Sequence, residues 1–198
     1  MTEEQPPLQI RDPQIMRALA HPARLAILDA LATGQTGTAT QFAQVVGLSP
    51  SATSYHLRAL AKYGLVEEAP SRGDGRERVW QRAGGGFRVE VAPTDPPEVW
   101  DAERTLVDAM LARDESQVRR WAQAAPSDDP DWYAASRFNR SHVLVTAEEL
   151  QQINEAVEKV LEPYSFMRRL NPPEGARPVA VNYRAFPIDR LASEDVKP

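Results

Sequence analysis

The sequence predicts an α+β fold in which four short helices and a basic hairpin are followed by one long helix and a small mixed α/β C-terminal region. Three observations predict it. Apolar residues recur at spacings of three and four in segments that each open on a capping residue. A turn-dense, arginine-bearing stretch at 70–76 separates two extended runs. Beyond it, residues 96–125 keep a helical pattern whose apolar line is interrupted near Asp114.

The first helix spans 12–20, with Asp12 as N-cap, Pro13 at the first helical position, and Ile15, Met16 and Leu19 apolar. Pro22 opens the second, whose stripe of Leu25, Ile27, Leu28 and Leu31 runs to Thr33 and Gly34. Thr38 and Gln41 form a capping box at the start of the third, and Phe42, Ala43 and Val46 make its buried face. Gly47 supplies a left-handed stop, and Ser49 and Pro50 immediately start the fourth helix. Two helices are therefore joined by a tight turn. In the fourth, Thr53, His56, Leu57, Leu60 and Ala61 face inward, which leaves Ser51, Ser54, Tyr55, Arg58 and Lys62 outward.

Gly64 ends that helix, and extended runs at 65–68 and 76–82 flank the turn to make a hairpin. Val79 and Trp80 compete for the buried face of its second strand. Residues 83–86 read as a hinge and 87–91 as one more short strand. The long helix starts at Asp95, Pro96, Pro97 and Glu98 and carries Val99, Ala102, Leu106, Met110, Val118 and Trp121 along one line. After a polar linker, 142–145 reads as a strand. Thr146 and Glu149 then cap a helix bearing Leu150, Ile153, Val157 and Leu161, and 178–186 reads as another strand. The resulting division is a flexible tail over 1–11, a winged helix-turn-helix domain over 12–92, a long helix over 93–126 and the mixed region over 127–198.

Composition narrows the function classes. With 42% hydrophobic and 26% charged residues, the chain matches globular proteins rather than disordered ones. It has no cysteine, which removes disulfides, thiolate metal sites and cysteine nucleophiles together and makes the cytoplasm the expected compartment. The first ten residues lack the basic and apolar regions of an export signal. No apolar run is long enough for a membrane helix, so no membrane partner is expected. A net charge of -5 opposes a polyanionic partner, but the charge is unevenly spread. Residues 1–92 hold ten Lys and Arg against nine Asp and Glu, and the remainder thirteen against nineteen. Between 51 and 88 lie Arg58, Lys62, Arg72, Arg76, Arg78, Arg82 and Arg88, opposed only by Glu67, Glu68, Asp74 and Glu77, a local basic stretch.

A tight turn, a helix with a polar and basic outer face, and an arginine-bearing hairpin suit double-stranded DNA. The major groove, about 12 Å wide, admits one helix and presents base edges distinguishable by short donors and acceptors. Ser51, Ser54 and Tyr55 are the candidates for bases or phosphates, and Arg58 and Lys62 for phosphates. Arg72 and Arg76 at the hairpin tip suit the adjacent minor groove or backbone, and Thr40 and Gln41 add contacts at the amide end of the third helix.

Residues Ala20-His21-Pro22-Ala23-Arg24, Thr38-Ala39-Thr40, the run from Leu48 through Ser51, Tyr55 and His56 to Arg58, and Tyr63-Gly64-Leu65-Val66 resemble the ArsR-type winged helix-turn-helix regulators. The likeness is to their cysteine-free branch with a C-terminal extension, and it covers roughly the N-terminal 40% of the chain. It implies a transcriptional regulator, a repressor in the leading reading, that binds a pseudo-palindromic operator as a homodimer and responds to an effector. Members that sense metals through cysteines near the third helix have no counterpart here.

The resemblance also implies that the long helix builds the dimer, with Val99, Leu106, Met110, Val118 and Trp121 as its contact residues. Trp121, Trp132, Tyr164, Phe166 and Tyr183 are either a small hydrophobic core or the lining of a pocket for a small-molecule effector. His56 and His21 read as structural, the latter as a capping or packing residue. With His142 they show no metal-ligand spacing, so neither a metal nor another cofactor is expected. Gly84 to Gly86 is a linker, because no Lys-Ser/Thr pair follows it as a phosphate loop requires. Arg137, Arg140, Arg168 and Arg169 read as isolated surface charges rather than an anion clamp. The competing function is a winged-helix module that binds protein and not DNA. An enzyme is not expected, since nucleophile-elbow, zinc-protease and nucleotide-loop motifs are missing.

Overall fold

The computed structural model describes residues 8–70, 77–84, 87–124, 127–166, 168–169 and 171–188. The chain forms two compact units, Met1–Ser136 and Arg137–Pro198. The long helix thus belongs with the helices before it, and the second unit starts at 137 rather than 127.

The helices of the first unit begin where their caps dictate. Helix α1 (Pro13–Leu19) opens with the Asp12 carboxylate accepting the Gln14 N–H at 2.7 Å. In α2 (Pro22–Ala32) the cap is His21, whose Nδ1 accepts the Ala23 N–H at 3.2 Å. Strand β2 (Gly37–Thr38) leads into α3 (Ala39–Val46), with both halves of the Thr38–Gln41 capping box formed. Gly47 stands at φ +67°, and α4 (Pro50–Lys62) follows with Ser49 as its cap.

After α4, β3 (Val66–Glu68) and β4 (Val79–Arg82) pair antiparallel with Val66 opposite Arg82 and Glu68 opposite Trp80. β2 pairs with the other edge of β4, giving the order β2-β4-β3. Trp80, not Val79, takes the interior at 3% exposure, which resolves the choice the strand pattern leaves open.

One expectation fails at the N-terminus. Leu8–Ile10 form strand β1, parallel to β5 (Phe87–Val89), where a flexible tail was expected over 1–11. The Ile10 side chain is buried, its carbonyl accepts the Glu90 N–H at 3.0 Å, and Arg11 pairs with Glu90 at 2.6 Å. A three-residue strand has too little periodicity to announce itself; its partner lies almost eighty residues away, and burial of Ile10 supplies the gain that holds it.

Helix α5 (Pro97–Ala124) is 28 residues long, about 42 Å at the standard rise. Asp95 does not cap it, because its carboxylate accepts the Ala92 N–H at 2.7 Å instead. One face of α5 packs on α1 and α2: Val99, Ala102 and Leu106 are buried there, and further along Arg113 Nε and Gln117 Nε2 donate to Asp29 Oδ2 at 2.7 and 2.9 Å. This corrects the expected dimer contacts. Val99 and Leu106 are inside the unit's own core with Met16, Leu19 and Leu31 and have no surface left for a partner. A short helix, α6 (Pro130–Ala135), closes the unit with Asp129 as cap.

The second unit contains α7 (Ala147–Leu161), capped by the Thr146–Glu149 box, and a 3-10 turn at Glu162–Tyr164. The Thr146 amide and hydroxyl hold the Glu149 carboxyl below its ordinary pKa. Strands expected at 142–145 and 178–186 do not form; neither segment enters a ladder. Apolar alternation marks a strand only when a neighbouring edge accepts its backbone bonds, and the two sheets among the described residues lie in the first unit. No described residue of the second unit is buried.

Candidate nucleic-acid interface

The sequence folds α3 and α4 against each other through local chemistry. Gly47 takes the left-handed conformation that lets the Leu48 N–H return to the Ala43 carbonyl at 3.1 Å, tying off α3. Two residues later Ser49 Oγ accepts from Ala52 N and α4 begins. Thr53, Leu57 and Leu60 are sealed into the core and His56 is 8% exposed, so the rotation of α4 about its axis is set by four inward side chains. Thr53 is tolerated there because its hydroxyl donates to the Ser49 carbonyl at 3.0 Å.

That rotation turns Ser51, Tyr55, Arg58 and Lys62 outward and leaves Ser54 half-buried. Tyr55 is 59% exposed and rests edge-on against the His56 ring, with centroids 5.4 Å apart. The Ser51 hydroxyl meets that of Ser49 at 3.1 Å, and Lys62 Nζ stands 5.6 Å from the Tyr63 ring centroid. Arg58 and Lys62 have no acidic partner among the described residues. The face therefore offers hydroxyls near the start of the helix and positive charge along it.

The third helix contributes less than the sequence suggests. Gln41 spends its side-chain oxygen on the Thr38 N–H, and the Thr40 hydroxyl donates to Glu77 Oε1 at 3.2 Å. Glu77 enters the sequence reading only as an acid within the basic stretch; pairing of Thr38 with Val79 gives it a definite place, carrying its carboxylate to the start of α3, where it opposes a phosphate. A two-residue strand leaves no pattern from which to find it. The basic stretch also thins. Arg78 pairs with Glu68 at 2.9 Å, and Arg82 is half-buried, burial holding its guanidinium below its ordinary pKa. Arg72 and Arg76 lie outside the described residues.

Of the aromatic candidates, Trp121 and Trp132 belong to the first unit and Tyr164, Phe166 and Tyr183 to the second. Tyr183 donates to Asn154 Oδ1 at 3.1 Å, and the Arg169 guanidinium lies 5.1 Å from the Tyr164 ring centroid. A different apolar hollow, of about 250 Å³, opens between β5 and α5, lined by Phe87, Val89, Glu103, Leu106, Val107 and Met110. Among the described residues no three His, Asp or Glu gather as a metal site, and no helix is long and apolar enough to cross a membrane.

Residues 19–69 match a family described as a helix-turn-helix domain. Over 53 residues the chain is 38% identical to the HTH-type transcriptional regulator YgaV of Escherichia coli (strain K12), covering 27% of this chain and 54% of that protein. The match thus spans about half the length of this curated relative. Among solved structures, a mutant of Lactococcus lactis ZitR in apo form aligns over 77% of this chain and 88% of its own at 16% identity and a TM-score of 0.32. NMB1585, a MarR family regulator from Neisseria meningitidis, aligns over 72% and 80% at 17% identity and a TM-score of 0.33. Superpositions this loose carry no argument about function. The local match is another matter: it runs from the end of α1 through α2, α3 and α4 to just past β3.

Proposed function

We propose that this chain is a transcriptional regulator of the ArsR-like kind, a repressor that binds a pseudo-palindromic operator in double-stranded DNA as a homodimer. The observation that carries the reading is the outward face of α4, where Ser51, Tyr55, Arg58 and Lys62 are exposed on a helix locked by a buried inner face. Its match to a helix-turn-helix family, and the likeness of the same segment to a protein named as a transcriptional regulator, support it.

A second copy is supported by α5. Its inner line runs through Val99, Ala102, Leu106, Arg113 and Gln117, and a second line through Val107, Met110, Leu111, Val118 and Trp121 lies roughly 100° round the helix. Val107, Met110, Leu111 and Trp121 are 45%, 39%, 42% and 38% exposed. Spacings of three and four along this line, interrupted only at Asp114, are those of a helix seam. The hollow beside Val107 and Met110 gives a partner side chain somewhere to enter. Two recognition helices held by such a pair reach half-sites about one helical turn apart.

Footprinting of the full chain on the DNA upstream of its own gene tests the reading. Protection of two half-sites is the expected result; no protection at low salt would remove the regulator reading in favour of a protein-binding module. Arg58→Ala should weaken specific and random DNA alike and lower the salt slope by about one. Tyr55→Ala should instead change base preference, by about 1–3 kcal/mol at the position it touches.

A further inference from the structure

A second group of ionisable side chains lies on the inward side of α4. The His56 ring stands 4.4 Å from the His21 ring, the planes tilted by 43°. His21 caps α2 through Nδ1, so in its neutral form the proton sits on Nε2. Arg24, in the first turn of α2, donates from Nη1 to the Ala18 carbonyl at 2.7 Å. Two buried polar atoms have no hydrogen-bond partner among the described residues, and both are here: Arg24 Nε, a donor, and His56 Nδ1.

The neighbours of His56 are cationic or neutral. From α2 and its cap come His21 and Arg24, and from its own helix Tyr55, edge-on. α3 carries no ionisable residue, and the acids of β3 are engaged elsewhere, Glu67 by Gln81 and Glu68 by Arg78. Burial first, then His21 and Arg24, hold the His56 pKa below its ordinary value. Protonating His56 would put a charge in a desolvated site beside Arg24, and protonating His21 would remove the lone pair that caps α2.

We propose that His56 is a positioning residue for DNA binding: as the neutral imidazole it seats α4 on the N-terminus of α2, and on protonation it unseats the helix and releases DNA. The proposal rests on α4 being the DNA-contacting helix. A histidine with a depressed folded-state pKa contributes fully above the ordinary histidine value, and that contribution is lost as pH falls below it through the folded-state value. Once below the latter, affinity falls about tenfold per pH unit if only the neutral form binds.

The test uses the full chain. His56 is titrated by NMR of its ring proton, and operator affinity is measured between about pH 7.5 and 5.5 for the wild type, His56→Gln and His21→Ser. The expected result is a His56 titration below that of a free histidine, wild-type affinity that falls with pH, and a flat profile for His56→Gln. His21→Ser keeps a capping oxygen and removes one neighbour that holds the His56 pKa down, so its fall moves to higher pH; this variant decides if His56→Gln does not fold. Parallel losses in wild type and variants, or a His56 that titrates at its ordinary value, would overturn the proposal. If the chain bound no DNA at any pH, the regulator reading would fall by itself. Amide exchange would still judge the seating: protection of α4 that drops with pH in the wild type but not in His56→Gln supports it, and equal protection overturns it.

Discussion

Gly47 and Gly37 show how two glycines answer to different physics. At Gly47 the backbone sits at φ +67° and a Cβ would meet nothing within 4 Å, so Gly47→Ala pays only for the left-handed conformation, about 1–2 kcal/mol. Gly47→Asn should recover part of it. At Gly37 a Cβ would lie 2.9 Å from Gln41 Oε1, the movable end of a side chain that is bonded to the Thr38 N–H. Gly37→Ala therefore displaces the cap of α3 and costs about 0.5–2 kcal/mol. Urea midpoints with unchanged slopes check both values. The sequence shows why the first glycine is there, because a helix stop before Ser49 and Pro50 is local chemistry. It does not show the second, whose role depends on a side chain returning from the next helix.

Among the elements, α4 was the most legible. Its caps, the buried Thr53, His56, Leu57 and Leu60 and the outward Ser51, Tyr55, Arg58 and Lys62 follow from local periodicity, whereas Ser54 is half-buried where that pattern puts it outside. α5 was legible as a helix but not in its allegiances. A single apolar line read from the sequence merges two faces, one consumed by α1 and one left outside. The distinction makes a prediction. Leu106→Ala should cost about 2–5 kcal/mol of unfolding free energy, as for a fully buried leucine. Val107→Asp with Met110→Asp should leave the folded monomer intact and raise the dimer dissociation constant at least tenfold, read by sedimentation equilibrium. Loss of folding in the double variant with an intact Leu106→Ala protein would reverse the assignment of the two faces.

For the whole molecule, every buried apolar side chain among the described residues lies between Ile10 and Leu106, inside the first unit. A chain ending at Ser136 should then unfold within about 4 °C of the full chain's midpoint, since no described residue beyond it is buried. A much larger drop in scanning calorimetry would mean that residues 137–198 stabilise the first unit. The charge balance works at this scale too. The chain is acidic overall, yet the outer face of α4 keeps Arg58 and Lys62 with no acid paired to them among the described residues, so a net charge of -5 does not prevent a polyanion from approaching that face.

The sequence by itself determined most of the helices and their caps, the tight turn between α3 and α4 and the outward placement of Ser51, Tyr55, Arg58 and Lys62, because each depends on neighbours within about one or two turns of chain. Tertiary structure decided what depends on distant partners: β1 against β5, Trp80 rather than Val79, Glu77 beside Thr40, Asp29 beneath Arg113 and the meeting of His21 with His56. These are choices of burial and pairing between segments far apart in the chain, and no local pattern encodes which edge or face a segment will find.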